Sequence, residues 1–410
     1  MKKEEQKREE ELRQELLDGL DSMAETTDGE ILDLIDDMVM REGKQRGLTL
    51  SSMEQLRRGL FCSVRRLDVL QDLLDDPDIT EIMVNGYQNI FYEKNGRIRR
   101  WSRSFPSRTR LEDVIQQIAG WCNRVVNEQR PIVDARLPDG SRVNVVLNPV
   151  SIDGPAVTIR RFPEEPITMD RLVKFGSLTN EAASFLKELV EARYSILVGG
   201  GTSTGKTTFL NALSSFIPST ERVVTIEDNA ELQIQGVDNL VRLEARSANL
   251  EGSHEITIRD LIITALRMRP DRIVIGEVRG AEAGDFLVSL NTGHDGSLGT
   301  AHANSVRDMI GRLEMMVLMG ASELPVPVIR RQIASGVEIM IHLSRDAGGR
   351  RRLQEIAEIT GMKGDEVEMV TLFRRGQDEV LRQVSPLVHT EKMEKLHERK
   401  KKEGRWKNPL

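Results

Sequence analysis

The sequence predicts an α/β core preceded by a smaller α+β domain and a helical N-terminal extension. Beyond Thr179, short β-rich runs alternate with helical stretches, which is typical of a mostly parallel sheet with helices between its strands. Between Asp78 and Phe162, short β-rich runs are separated by Asn-Gly and Pro-Asp-Gly turns, a pattern that favours antiparallel hairpins. Before them, residues 10–60 place apolar residues three or four apart, as amphipathic helices do.

The domain boundaries follow from these changes of pattern. FPEEPIT, with two prolines and two acidic residues, reads as the start of a linker. We therefore predict a helical extension over residues 1–64, an α+β domain over 65–163, a linker over 164–178, the α/β core over 179–385 and a basic tail over 386–410.

Composition indicates a soluble protein. Of the 410 residues, 39% are hydrophobic and 30% charged, as in globular proteins. No uncharged apolar run approaches the roughly 18 to 20 residues that span a bilayer. The N-terminus, MKKEEQKREEELRQ, lacks the apolar segment of a secretory signal. Cys62 and Cys122 form no CxxC pair, which argues against a zinc ribbon or a disulfide framework and suits a reducing cytosol.

The net charge of −7 is unevenly distributed. Residues 1–44 are acid-rich, whereas HERKKKEGRWK near the C-terminus is strongly basic. Both ends are interpreted as solvated, partly frayed helices. A weak electrostatic contact with an anionic membrane surface is the alternative for the basic tail.

The residues from Gly200 to Thr207 fit the phosphate-binding pattern G-x-x-x-x-G-K-[ST]. A predicted strand precedes them and a predicted helix follows, so backbone N–H groups and the helix N-terminus would face the phosphates. Lys206 would reach the β- and γ-phosphates, and the Thr207 hydroxyl would bind Mg²⁺. The predicted nucleotide-binding residues are Gly200, Gly201, Thr202, Ser203, Thr204, Gly205, Lys206, Thr207 and Thr208.

Two further strand ends carry carboxylates. In RPDRIVIGEVRG, Gly276 stands where many P-loop enzymes have aspartate, and Glu277 follows it. We predict that Glu277 positions or deprotonates the attacking water, or holds a magnesium-bound water. VVTIEDNAEL ends a strand in Glu227-Asp228, with Glu231 a little later. We favour magnesium or water positioning there over a solvated loop.

A histidine pair lies in NTGHDGSLGTAHANS. The eight-residue spacing of His294 and His302 is not that of a helical zinc pair. A γ-phosphate sensor, a subunit-interface role and a purely structural histidine all remain open from the residues alone.

In chain order, GGGTSTGKTT, TIEDNAEL, ALRMRPDRIVIGEVRG and TGHDGSLGTAHANS resemble the Walker A, Asp box, Walker B and His box of the type II/type IV secretion and pilus-assembly ATPase family. EIMVNG, VDARLPDGSRVN and GPAVTIRRF in the front domain are similar to the branch that serves tight-adherence (Tad/Flp) pili. The resemblance covers about residues 65–385. It implies a RecA-like P-loop ATPase core behind a PAS-like α+β domain.

The resemblance also implies a function. The protein would be a homo-hexamer at the cytoplasmic face of the inner membrane, hydrolysing ATP with Mg²⁺ and moving a platform protein that extrudes pilin. By position, Glu277 would be the catalytic carboxylate, Glu227 and Glu231 would belong to the acidic box, and His302 would be the γ-phosphate histidine.

An arginine should complete the site. We find no obvious arginine within the four motifs to neutralise charge on the transferred phosphoryl group, a task worth roughly 10³ to 10⁵ in rate where it is known. Arg136, Arg142 and Arg160 of the front domain are the candidates that the resemblance implies.

Two other functions compete with a secretion motor. A nucleic-acid motor would need a basic groove with stacking aromatics, whereas aromatic content is 4% and the net charge is negative, so we expect no nucleic-acid partner. A nucleotide switch without turnover is the second rival, and the presence of Glu277 and the acidic motif weighs against it.

Overall fold

The computed structural model describes residues 2–20, 27–94, 96–122, 124–161, 166–246, 255–346 and 348–402. The chain divides into two units, residues 1–164 and 165–410. No helix among these described ranges is long and apolar enough to cross a bilayer.

The first unit begins with three helices that pack on one another. Its helices are α1 (Lys2–Leu20), α2 (Asp28–Arg46), α3 (Leu50–Arg65), α4 (Gln71–Leu74) and α5 (Arg108–Trp121). Thr27 and Thr49 cap α2 and α3 by accepting backbone N–H bonds in their first turns. Leu16, Ile35 and Leu60 form part of the shared apolar core. The helices predicted before residue 60 are confirmed, although residues 21–26 of the first predicted run lie outside the described residues.

A six-stranded antiparallel sheet completes this unit, in the order β3-β2-β1-β6-β5-β4. Its strands are β1 (Ile79–Asn85), β2 (Asn89–Lys94), β3 (Arg97–Arg100), β4 (Ile132–Arg136), β5 (Arg142–Val146) and β6 (Ala156–Arg160). Helix α5 packs on the sheet through an apolar core that includes Ile82, Ile115 and Val143. The predicted antiparallel sheet and the Pro-Asp-Gly hairpin between β4 and β5 are confirmed.

The second unit is a nine-stranded sheet in the order β15-β14-β13-β12-β7-β11-β10-β8-β9. Its strands are β7 (Ile196–Gly200), β8 (Arg222–Glu227), β9 (Asn239–Glu244), β10 (Arg272–Val278), β11 (Leu298–His302), β12 (Ile339–Arg345), β13 (Arg351–Lys363), β14 (Glu366–Arg375) and β15 (Leu381–Gln383). The strands from β12 to β9 in this order are parallel, and β13, β14 and β15 extend the sheet antiparallel. The predicted mostly parallel sheet is confirmed.

Helices cover both faces of this sheet. They are α6 (Met169–Lys174), α7 (Asn180–Glu191), α8 (Lys206–Ser214), α9 (Ile258–Ala265), α10 (Glu282–Leu290), α11 (Val306–Gly320), α12 (Val326–Gly336) and α13 (Glu391–Lys402). Helices α6, α7, α8 and α13 contribute to one apolar core, and α9 to α12 contribute to the other. Side chains of β7 alternate between the two, since Ile196 and Val198 join the first core and Leu197 the second.

Parts of the predicted linker and tail belong to these layers. Thr168 caps α6, whose Met169 and Leu172 are buried in the second unit. Met393 and Leu396 anchor α13 in the same core. The described part of residues 164–178 is therefore largely packed structure, and the tail is ordered through Lys402.

Candidate nucleotide-binding site

The candidate site lies where four parallel strands end. Strands β7, β11, β10 and β8 are neighbours and run in the same direction, so their carboxyl ends share one edge of the sheet. Gly200, Glu227, Glu277 and His302 lie at or next to those ends. Open α/β sheets bind ligands at this edge.

The predicted phosphate loop leads from β7 into α8. Ser203 and Gly205 adopt left-handed backbone conformations, with φ of 58° and 92°. The Thr204 hydroxyl donates to the Gly201 carbonyl at 2.9 Å and closes the loop on itself. A Cβ at Gly200 would lie 2.7 Å from the Leu343 carbonyl oxygen, so a larger residue does not fit there. The loop presents the N-terminus of α8, which suits an anion.

Three of the predicted catalytic side chains converge beside this loop. Lys206 is buried, and its Nζ lies 3.2 Å from the Gly201 carbonyl oxygen. The same Nζ lies 3.7 Å from Glu277 Oε1 and 3.5 Å from the His302 ring. The structure thus brings a cation, a carboxylate and an imidazole to one point, whereas His294 contacts the Ser289 carbonyl in the last turn of α10.

The carboxylate of Glu277 lies between two basic side chains. His302 Nε2 is 2.7 Å from Glu277 Oε1, and Arg279 Nε donates to Glu277 Oε2 at 2.7 Å. Burial, only partly opposed by Glu277, lowers the pKa of His302. The imidazole is therefore neutral at pH 7. Arg279 also reaches Asp228 at 3.4 Å.

Glu227 explains why Gly276 replaces the aspartate of other P-loop enzymes. Glu227 is 2% exposed, and a Cβ at Gly276 would lie 2.9 Å from its Cγ. Its Oε2 accepts the backbone N–H groups of Glu231 and Leu232, at 2.7 and 2.8 Å. Burial raises the pKa of Glu227 to about 7. The carboxyl group from β8 thus fills the space beside β10 that a side chain at position 276 would occupy.

The donors at this edge suit Mg²⁺ bound together with phosphate. Within the described part of the chain, no cluster of three or more His, Cys, Asp or Glu residues is placed to hold a metal. Mg²⁺ in nucleotide sites takes one or two protein ligands and completes its shell with phosphate and water. The Thr207 hydroxyl at the start of α8 and the Glu227 carboxyl fit that mode. Glu227 Oε1 has no hydrogen-bond partner among the described residues, whereas the backbone N–H of Glu231 donates to the other oxygen, Oε2.

The three candidate arginines of the front domain form a row in the first unit. Arg142 on β5 pairs directly with Arg136 on β4 and with Arg160 on β6. Directly paired residues project from the same face of a sheet, and like charges in such pairs are destabilising. Arg136 also donates to the Gly140 carbonyl oxygen at 3.1 Å. On the other side of Arg160, Glu81 on β1 pairs directly with it, so the row ends beside a carboxylate.

Sequence reasoning missed three arginines near the loop. Arg279 lies within the motif of Glu277 and pairs with that carboxylate, a contact that the sequence analysis did not predict. Strand alternation could have revealed it, because residues two apart on a strand share a face. Arg345 and Arg351 each donate from Nε to the Ser203 carbonyl oxygen, at 3.0 and 3.2 Å. No sequence motif marks these two.

Comparisons with known proteins identify the family. The model described as "Type II/IV secretion system protein" matches residues 65–406. A putative conjugal transfer protein of Mycobacterium tuberculosis is 37% identical over 313 residues, covering 74% of this chain and 87% of that protein. Type IV secretion system protein PtlH of Bordetella pertussis is 33% identical over 315 residues, covering 71% and 93%.

A solved structure agrees in fold. The Yersinia pseudotuberculosis ATPase DotB superposes with a TM-score of 0.51 at 18% identity, covering 73% of this chain and 79% of that one. With the family match over residues 65–406, the conclusion is that this chain belongs to the type II/IV secretion system protein family.

Proposed function

We propose that the protein is a Mg²⁺-dependent ATPase with a RecA-like core and a PAS-like front domain. It works as a homo-hexameric motor at the cytoplasmic face of the inner membrane. There it acts on a membrane platform protein to assemble a tight-adherence (Tad/Flp) type pilus, and so moves pilin, or to drive type II/IV secretion. The observation that carries the proposal is the meeting of Lys206, Glu277 and His302 beside the phosphate loop.

Each side chain has a task in hydrolysis. Lys206 leaves the Gly201 carbonyl and binds the β- and γ-phosphates of ATP. Glu277 orients the attacking water and accepts its proton. The neutral His302 donates from one ring nitrogen to the γ-phosphate. Bound with the nucleotide through Thr207 and the acidic motif, Mg²⁺ supplies positive charge at the phosphate oxygens.

The row of front-domain arginines supports the proposal that ATP turnover depends on assembly into the hexamer. Three arginines lie side by side on neighbouring strands, an arrangement that suits a multiply charged phosphate. We assign Arg136, Arg142 and Arg160 to the developing charge on the phosphoryl group, from the same or a neighbouring subunit.

The test is ATP turnover by purified protein as a function of protein concentration, with particle mass measured in parallel. Turnover per molecule should rise as particles of six chains form, and EDTA should abolish it. Full turnover by a stable monomer would contradict the motor, and salt-sensitive binding of single-stranded DNA would favour a nucleic-acid motor instead.

A further inference from the structure

Two arginines outside the four motifs contact the phosphate loop. Arg345, the last residue of β12, and Arg351, the first of β13, both donate from Nε to the carbonyl oxygen of Ser203, at 3.0 and 3.2 Å. The stem of Arg351 also lies over Gly205, where an added Cβ would be 3.1 Å from Arg351 Cδ. Two guanidinium groups from one hairpin thus meet at a single carbonyl oxygen.

The turn between β12 and β13 fixes their direction. Asp346 accepts the backbone N–H groups of Gly348 and Arg350, at 2.9 and 2.8 Å, and pairs with the side chains of Arg350 and Arg352. The backbone N–H of Arg350, helped by these guanidinium groups, lowers the pKa of Asp346 to about 2. Because side chains alternate along a strand, Arg351 faces away from both neighbours and toward the loop.

A carbonyl oxygen is a weak partner for a fully charged guanidinium group. It carries only partial negative charge, whereas guanidinium groups bind phosphate with paired N–H donors. Arg345 has no second hydrogen-bond or ion-pair partner within the described ranges of the chain. Its position beside the phosphate loop therefore suits an anionic ligand, and Arg351 meets the same carbonyl oxygen.

The strand order shows which part of a nucleotide would meet the hairpin. Glu277 and His302 belong to β10 and β11, on one side of β7, whereas the arginines belong to β12 and β13 on the other. Glu277 marks the γ-phosphate end if it orients the attacking water. The hairpin therefore lies toward the nucleoside end of the phosphate chain.

We propose that Arg345 and Arg351 are nucleotide-binding residues that exchange the Ser203 carbonyl for the α- and β-phosphates of the bound nucleotide; this rests on the ATPase function proposed above. They hold ADP and ATP alike, because both nucleotides carry these two phosphates. Removing their charge weakens binding of both nucleotides.

The test is the equilibrium Kd of the full chain for fluorescently labelled ADP with Mg²⁺, measured for Arg345→Gln and Arg351→Gln. Glutamine keeps a neutral N–H donor for the Ser203 carbonyl and removes the charge. Loss of one charge-assisted contact should weaken ADP binding about ten- to a hundredfold. Arg382→Gln is the matched control. Arg382 lies on the outermost strand, β15, and pairs with Asp378. Circular dichroism verifies that each variant is folded.

Each result has one reading. If wild-type protein fails to bind ADP, the proposed ATPase function fails. If wild-type protein binds ADP and both glutamine variants match it, the arginines only support the loop, and this inference alone is overturned. Weaker ADP binding in the two glutamine variants but not in Arg382→Gln supports it, and a rise in Kd with added salt that is smaller in the variants than in wild type supports it further.

Discussion

Arg279, one residue past the end of strand β10, donates a 2.7 Å hydrogen bond to Glu277 on that strand. The contact occupies Oε2 and leaves Oε1 toward Lys206 and His302. Arg279 therefore orients the carboxylate that we assign to the attacking water. It is a positioning residue in this account.

Arg279→Ala should lower kcat about tenfold while ATP affinity stays within a few fold, because the carboxylate loses its orienting partner but the phosphate contacts remain. Steady-state kinetics with a separate ATP-binding measurement would show this split. Arg279→Lys should restore only part of the rate, since lysine lacks the planar fork of donors. An unchanged kcat in Arg279→Ala would remove Arg279 from this role.

Arg142 lies at the centre of the arginine row, so Arg142→Ala should have the clearest effect on turnover. We expect at least about a tenfold loss of kcat, toward the 10³-fold known for inserted arginines, with ATP affinity within a few fold. Arg97→Ala, on the far edge strand β3 of the same sheet, is the control. Equal kcat values for the two variants would exclude the row from catalysis.

Gly276→Ala should destabilise the protein because its Cβ would meet Glu227 Cγ at 2.9 Å in a closely packed interior. The expected loss in free energy of unfolding is about 1 to 3 kcal/mol. Gly284→Ala, on helix α10, is the matched control. An added Cβ at Gly284 would have only Val317 within 4 Å, at 3.9 Å. That change should be neutral or stabilising by about 0.5 to 1 kcal/mol. Chemical denaturation of both variants measures the difference, and equal stabilities would refute the packing of Glu227 against Gly276.

Glu227 should make the stability of the metal-free protein depend on pH. Its pKa is about 7 in the folded protein against an ordinary 4.5, so the folded chain holds an extra proton between these values. The free energy of unfolding therefore falls as pH rises through this window and levels off above pH 7. Glu227→Gln removes the ionisable group.

The variant should match wild type near pH 4.5 and be more stable at pH 8 by roughly 1 to 3 kcal/mol, without nucleotide and with EDTA present. Urea unfolding at the two pH values provides the measurement. A stability difference that does not change with pH would mean that Glu227 ionises normally.

Periodicity predicted most of the fold, because each strand of the parallel core is a short apolar run and each early helix is amphipathic. It failed where packing decides the structure. Residues 169–174 follow a proline-rich stretch that suggests a linker, yet Met169 and Leu172 are buried in the second unit. Met393 and Leu396 come just before the basic run near the C-terminus and were predicted to belong to the basic tail. They are buried and anchor α13.

The site was predicted to the extent that its residues sit in local motifs. The register of β8 with β10 places Glu227 beside Gly276, because Ile226 pairs with Ile275, and strand order cannot be read from one motif. Arg345 and Arg351 reach Ser203 from 142 and 148 residues further along the chain. That contact depends on β12 pairing with β7, for which the sequence offers no signal.

The most direct test of the central claim, that Glu277 is the catalytic carboxylate of an ATPase, is to compare ATP binding and ATP turnover in Glu277→Gln. Glutamine preserves the size of the side chain and removes the base, so the variant should bind Mg²⁺ and ATP within a few fold of wild type and lose nearly all turnover. Lys206→Ala, by contrast, should lose binding and turnover together. Wild-type turnover in Glu277→Gln would contradict the account.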